Sequence, residues 1–222
     1  MRVACYTSIM GGFDDLLPHP AMADEVDFHA FTDRQSGWAY EGTTWQVHPV
    51  VARKEHPRIT AKRFKLNPHL FLPDYDVTIW LDGSHRIISQ FVVREAIEAL
   101  GDSDIALYKH PYRDDIYEEA DCSEIMEKYS KEPIRAQVDA YRAEGHPEHW
   151  GLWACGTIVR RNTPLVQKLD EEWWDEIKRW SYQDQISLPV VLRRQGIRPA
   201  EFSHSQVMGN PWTQIQGHHS TL

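Results

Sequence analysis

The stretch "VTIWLDGSHRI" (77–87) runs apolar and then delivers a carboxylate, a glycine, a hydroxyl and an imidazole at Asp82, Gly83, Ser84 and His85. Asp, Gly and Ser are ordinary turn residues, and a turn is one reading. The other is a strand end that holds Asp82 out toward a metal or a substrate, because ligands of open α/β sheets collect at the carboxyl ends of strands. In "YTSIMGGFDD" (6–15), Gly11 and Gly12 let backbone approach a ligand with no Cβ in the way. The spacing is not GxGxxG, and a plain turn would use the same pair. "FTD" ends the next apolar run with Thr32 and Asp33. Arg58, Lys62 and Lys65 follow at i, i+4 and i+7, so one helix face carries three cations, suited to phosphates or simply to water. Ser181, three residues before Asp184, fits a helix-start box. The 12 histidines include no HExxH pair, but His204, between Ser203 and Ser205, could return to the sheet edge as a metal ligand.

These residues need elements to position them. Strand patterns recur at 2–8, 26–32, 43–50, 76–82, 104–110 and 152–160, alternating later with helix patterns, which implies an α/β sheet. Helices are expected at 58–66, stopped by Pro68, and at 89–101, capped by Ser89 and ended by Gly101. Two more are expected over about 114–129 and 133–144, the latter opened by Pro133. From Thr163-Pro164, Leu165, Leu169, Trp173, Ile177 and Trp180 form an apolar helical stripe, and a last helix runs from Ser181 to about Gln195. The economical arrangement is one domain over 1–222, with a helical insertion at 110–150 and an irregular tail at 205–222.

Composition narrows the function. A 222-residue chain with 41% hydrophobic and 26% charged residues is an ordinary globular protein. No run of about 18 apolar residues exists to span a membrane. The opening "MRVACYTSI" is too short and broken for a secretory signal. Cys5, Cys122 and Cys155 are odd in number and far apart, which suits a reducing cytoplasm. A net charge of −9 argues against sequence-independent nucleic-acid binding, and Arg160-Arg161 and Arg193-Arg194 read as solvated surface.

Taken in order, the motifs are "YT-x-I-x-GG-x-D", "FTD", a basic helix with "KLNPHLF", "IWLDGS", "H-x-x-R", "Y-E-E-A", "Q-x-x-x-Y-x-x-E-G" and "DQ-x-S". This order resembles the glycosyltransferase-like domain family of plant proteins tied to mucilage synthesis and turgor control, over about residues 3–200. More distantly it is similar to GT-A nucleotide-sugar transferases, including the glycogenin-like retaining enzymes. The resemblance implies a GT-A-like, Rossmann-like mixed sheet flanked by helices. It implies transfer from a nucleoside-diphosphate sugar, a UDP-sugar, to a glycan, protein, lipid or modified-DNA acceptor, with retention. It places Tyr6, Thr7, Gly11, Gly12, Asp14 and Asp33 at the nucleoside, with Arg58, Lys62, Lys65, Gly83 and Ser84 toward the diphosphate. Asp82, with His204, would hold Mn²⁺ or Mg²⁺, although Ser84 stands where such enzymes carry the second Asp of Asp-x-Asp. Asp184 and Gln185 would meet the reacting sugar, and His110, Arg113, Trp150, Trp153 and Gly156 would shape the acceptor cleft. Two rivals are a metal-dependent hydrolase, since a plant relative is linked to ceramide hydrolysis, and an inert nucleotide- or sugar-binding module.

Overall fold

A computed structural model describes residues 1–34, 44–51 and 54–216. The first residue of the expected third strand and the last six of the expected tail lie outside these. The first half of the chain comprises β1 (Val3–Ile9), β2 (Asp27–Thr32), β3 (Trp45–Pro49), α1 (Pro57–Leu66), α2 (Pro68–Phe71), β4 (Val77–Leu81), β5 (His85–Ile87), α3 (Val92–Leu100) and β6 (Ile105–Lys109). The second half comprises α4 (Ile116–Glu124), a 3₁₀ turn (Glu127–Tyr129), α5 (Ile134–Ala143), β7 (Trp153–Arg161), α6 (Pro164–Arg179), α7 (Asp184–Arg194), β8 (Ala200–Glu201) and β9 (Thr213–Ile215).

Seven strands form one mixed sheet in the order β3-β2-β1-β4-β7-β6-β8. The first four are parallel, and β7 runs antiparallel to both β4 and β6. This is the expected Rossmann-like α/β sheet. The chain leaves β1 on one side to build β2 and β3, then crosses back to place β4 on the other side. The carboxyl ends of β1 and β4 therefore flank a topological switch point, where such sheets bind ligands.

Side chains on the two sheet faces build two cores. Ala4, Tyr6, Trp80 and Ile158 join the face covered by α1 and α4–α7, while Val3, Cys5, Ile79 and Val159 join the face covered by α3. Burial on both faces explains why β1 and β4 read as nearly continuous apolar runs. β7 carries a bulge: Leu107 pairs with Ile158 but Tyr108 with Ala154, so residues 155–157 pass without a partner on β6. Within that bulge the Gly156 carbonyl accepts from the Asp82 N–H at 2.8 Å, tying β7 to the end of β4.

Some local expectations shift. The helix expected from Ser89 starts at Val92, and the Ser89 hydroxyl accepts from the Phe91 N–H in a short turn instead. Thr163 caps α6, accepting from the Val166 N–H. The buried stripe of α6 includes Val166 rather than Leu165, which is 40% exposed. The Ser181 hydroxyl donates to Gln137 and accepts from the Gln183 N–H, so it makes no box with Asp184. The tail expected to be irregular contributes β9, which pairs antiparallel with β5. Among the described residues no helix is long and apolar enough to cross a membrane.

Candidate functional site

A cleft opens over the carboxyl ends of β1 and β4. Its floor is Ser8, Ile9 and Met10 from β1 and its exit, with Trp80, Asp82 and Gly83 from β4 and its exit. One wall is the start and cleft-facing side of α1, with Arg58, Lys62 and Lys65; Phe13 and Asp14, and then Tyr129 and Tyr182, close the others. α1 forms where it does because Pro57 opens it and the His56 ring accepts from the Arg58 N–H. Helical periodicity then brings the three cations into one cleft, as their spacing predicts.

At the base, charges of both signs interlock. Lys65 Nζ lies 3.0 Å from Asp82 Oδ1 and 2.7 Å from Asp184 Oδ2, and Lys62 Nζ donates to the same Asp184 oxygen. Asp82 Oδ1 also accepts from Trp80 Nε1 at 2.7 Å. Asp82 and Asp184 lie about a hundred residues apart in sequence, yet one lysine bridges them. Exposure separates the roles: the Lys65 side chain is 1% exposed and that of Asp184 6%, against 18% for Lys62 and 38% for Asp82. Burial opposes ionisation of Lys65, but Asp184 and Asp82 outweigh it and hold its pKa above the ordinary lysine value. Burial likewise opposes ionisation of both carboxyls, and the lysines reverse it, leaving Asp82 and Asp184 below the usual carboxylate range. At Lys62 burial wins, and its pKa is lowered.

A second buried ion pair fixes α1 from beneath. Arg160, 1% exposed, is 2.7 Å from Asp170 and donates to the Lys65 carbonyl at 2.6 Å; Tyr6 donates to that carbonyl at 2.9 Å. Arg160 is therefore a core residue and not the solvated surface its sequence suggested. Tyr6 belongs to this brace, below the cleft, and Thr7 is also buried in β1.

Other expected site residues make contacts within the protein. Both Asp33 carboxylate oxygens accept from the Gly11 N–H, at 3.0–3.1 Å, pinning the glycine loop to β2. Gly11 has φ +66°, and a Cβ there would meet Pro57 at 2.8 Å; Gly12 has φ +73°. A Cβ on Gly83 would lie 2.9 Å from the Asp14 side chain, so the missing side chain lets Asp14 approach the cleft floor. The buried Ser84 hydroxyl is 3.3 Å from His85 Nδ1. His110 accepts from the Arg113 N–H, Arg113 pairs with buried Glu119 at 2.6 Å, and Glu119 accepts from Gln183, the residue before Asp184. His110 and Arg113 thus brace the start of α7 and are not among the cleft-lining residues. Trp153 is buried and donates to Glu201, while Gly156 packs against His85. Gln185 is half-buried and also stands outside the cleft lining.

The expected metal ligands do not come together. His204 Nε2 is 3.2 Å from the Tyr108 hydroxyl, in an aromatic cluster with Phe202 and Trp212 on the opposite sheet face. Asp184 is engaged by two ammonium groups. Among the described residues no three His, Cys, Asp or Glu side chains converge as a metal would require. The residues present do not fit a divalent-cation site of the kind the sequence suggested.

Sequence reasoning missed the aromatic wall. Tyr129 and Tyr182 come from the insertion and from the turn before α7, and Arg58 lies 4.7 Å from the Phe13 ring and 6.0 Å from that of Tyr182. Lys128, beside Tyr129, has its pKa lowered by burial and by Arg58 and Lys62. No spacing rule links these segments, whose only common feature is the cleft.

A curated relative from Arabidopsis thaliana, "Probable hexosyltransferase MUCI70", is 26% identical over 136 residues, 57% of this chain and 23% of the relative. The chain thus matches under a quarter of that protein's length. The sequence profile described as "TOD1/MUCI70, glycosyltransferase-like domain" matches residues 22–208, from β2's approach to beyond β8. The chain belongs to the TOD1/MUCI70 glycosyltransferase-like domain family.

Proposed function

We propose that the protein is a GT-A-like glycosyltransferase that takes its sugar from a UDP-sugar and passes it, with retention, to a hydroxyl of a glycan, protein, lipid or modified base. The name of the plant relative favours a hexosyl over a pentosyl group. The observation that carries the reading is the cleft at the β1/β4 switch point with Arg58, Lys62 and Lys65 on one wall. In such a transfer the bond between the anomeric carbon and the β-phosphate oxygen breaks, and its electron pair stays on that oxygen. The acceptor hydroxyl forms the new bond and releases its proton. Negative charge therefore grows on the diphosphate, where preorganised cations lower the barrier most. Lys62 is the ammonium placed to meet it, and Arg58, spread against Phe13, offers a planar fork for a second phosphate. Phe13, Tyr129 and Tyr182 supply flat apolar faces for base or sugar rings.

Thermal shift with a nucleotide panel tests the donor class. UDP at about 100 times its Kd stabilises the native state by about 2.7 kcal/mol, and ADP, GDP and NAD do less. A shift with NAD alone would sink the transferase reading. Release of UDP from UDP-sugars, increased by an acceptor, then separates transfer from mere binding.

A further inference from the structure

We propose that the Lys62–Lys65 ammonium pair occupies the electrostatic place of a divalent cation, so that this cleft binds and activates its nucleoside-diphosphate donor without a metal. The inference rests on the donor reading above and assigns the groups that perform it.

Two carboxylates with one divalent cation sum to zero, and so do Asp82 and Asp184 with two ammoniums. The carboxylates do not stand vacant for a metal: Lys65 holds both, at 3.0 and 2.7 Å, and Lys62 holds Asp184. A hard cation wants several oxygen ligands, whereas here the Ser84 hydroxyl is turned to His85 and His204 lies with Tyr108. A divalent ion brought to Asp82 would also face the Lys65 ammonium, 3.0 Å from that carboxylate, and like charges a few ångströms apart repel strongly in a partly buried site.

Donor stoichiometry then divides the labour. An ammonium has three N–H donors. Lys65, 1% exposed, spends two on the carboxylates at the base of the cleft wall and is held through its carbonyl by Arg160 and Tyr6. Lys62, 18% exposed, spends one on Asp184 and keeps two for a ligand. Lys65 is thus the positioning charge and Lys62 the group that touches phosphate. Asp184 keeps the pair together and aimed.

The experiment has two readouts, one independent of activity. Titration of Mn²⁺ into the protein, followed by electron paramagnetic resonance, should leave the free-ion signal undiminished at stoichiometric protein. Calorimetric binding of UDP should give the same Kd, within about twofold, in EDTA and in Mn²⁺. Lys62→Met should weaken UDP binding by about tenfold or more, as loss of a charge-assisted contact does, and added Mn²⁺ should not restore it. Lys65→Met tests the same point if it folds, and Lys62→Met, at the more exposed position, stands if it does not. Quenching of the Mn²⁺ signal that disappears in Asp82→Asn overturns the proposal. So does UDP binding or UDP-sugar turnover that EDTA abolishes and Mn²⁺ restores, and so does a Lys62→Met variant that binds UDP normally. Failure to bind UDP in either buffer defeats the donor reading instead, while the resonance titration still decides the question of the cation.

Discussion

Asp82 and Asp184 share Lys65 but stand in different surroundings, and substitution should separate them. Asp184 is 6% exposed and faces two ammoniums, so Asp184→Asn leaves buried positive charge without its counter-ion. The expected loss is about 3–5 kcal/mol, the scale of a broken buried pair. Asp82 is 38% exposed and keeps water as an alternative partner, so Asp82→Asn should cost about 1 kcal/mol. Urea unfolding of the two variants checks the ranking, and equal losses would show that Asp184 is not a buried counter-ion. At this scale the sequence revealed Asp82, Arg58, Lys62 and Lys65, because strand ends and i, i+4, i+7 spacing are local signals. It could not reveal that Asp184 answers Lys62 across 122 residues. Arg160 was misread because its strand is buried on both faces, which removes the polar–apolar alternation that would mark an inward side chain.

Between elements, the cleft depends on two loops that nearly touch. The turn after β4 and the loop after β1 meet where Gly83 faces Asp14, with no room for a methyl group. Gly83→Ala should displace the 10–15 loop rather than unfold the sheet, because both strands beneath it are fully buried and hydrogen-bonded. The expected result is UDP binding weakened about tenfold, with a stability loss of about 1–2 kcal/mol, the lower part of the overpacking range. Calorimetry and unfolding on the same variant measure both, and unchanged affinity would place the ligand away from this loop. The sequence marked both loops by their glycines but gave no sign that Asp14 is what Gly83 meets. A missing Cβ says that something comes close, and only the fold says whether it is ligand or protein. The insertion at 110–150 was similarly legible as helices, yet its delivery of Tyr129 to the cleft depends on how α4 packs on α7.

Across the whole molecule, the strand order and the β9 pairing lay beyond local pattern, since short edge strands such as β8 and β9 carry too few residues to show a period. Histidine content was plain in the sequence, but its environment was not. His19, His29, His48, His69, His110, His146 and His204 all have pKa values lowered first of all by burial. His146 is the extreme case: it is 5% exposed, its Nδ1 has no hydrogen-bond partner among the described residues, and burial reinforced by Arg193 lowers its pKa to about 4. The unfolded chain takes up a proton at this residue near the ordinary value of 6.5, whereas the native one waits until about 4. Between those values the unfolded state binds more protons, so stability rises with pH there and falls on acidification. For His146 alone the full effect is about 3 kcal/mol, of which about 2 kcal/mol is lost by pH 5. The other six add to it with the same sign. Exposed His149, through Asp114, acts in the opposite direction, as do the carboxyls of Glu95 and Asp170, whose pKa values burial raises, that of Asp170 to about 6; the seven imidazoles together are expected to outweigh them. Urea unfolding at pH 7 and pH 5 should therefore show a marked drop in stability. His146→Gln should reduce that drop by about 2 kcal/mol whatever it does to stability at pH 7. Equal stability at the two pH values would mean that the imidazoles do not outweigh the raised carboxyls of Asp170 and Glu95, and a drop unchanged in His146→Gln would remove His146 from the cause.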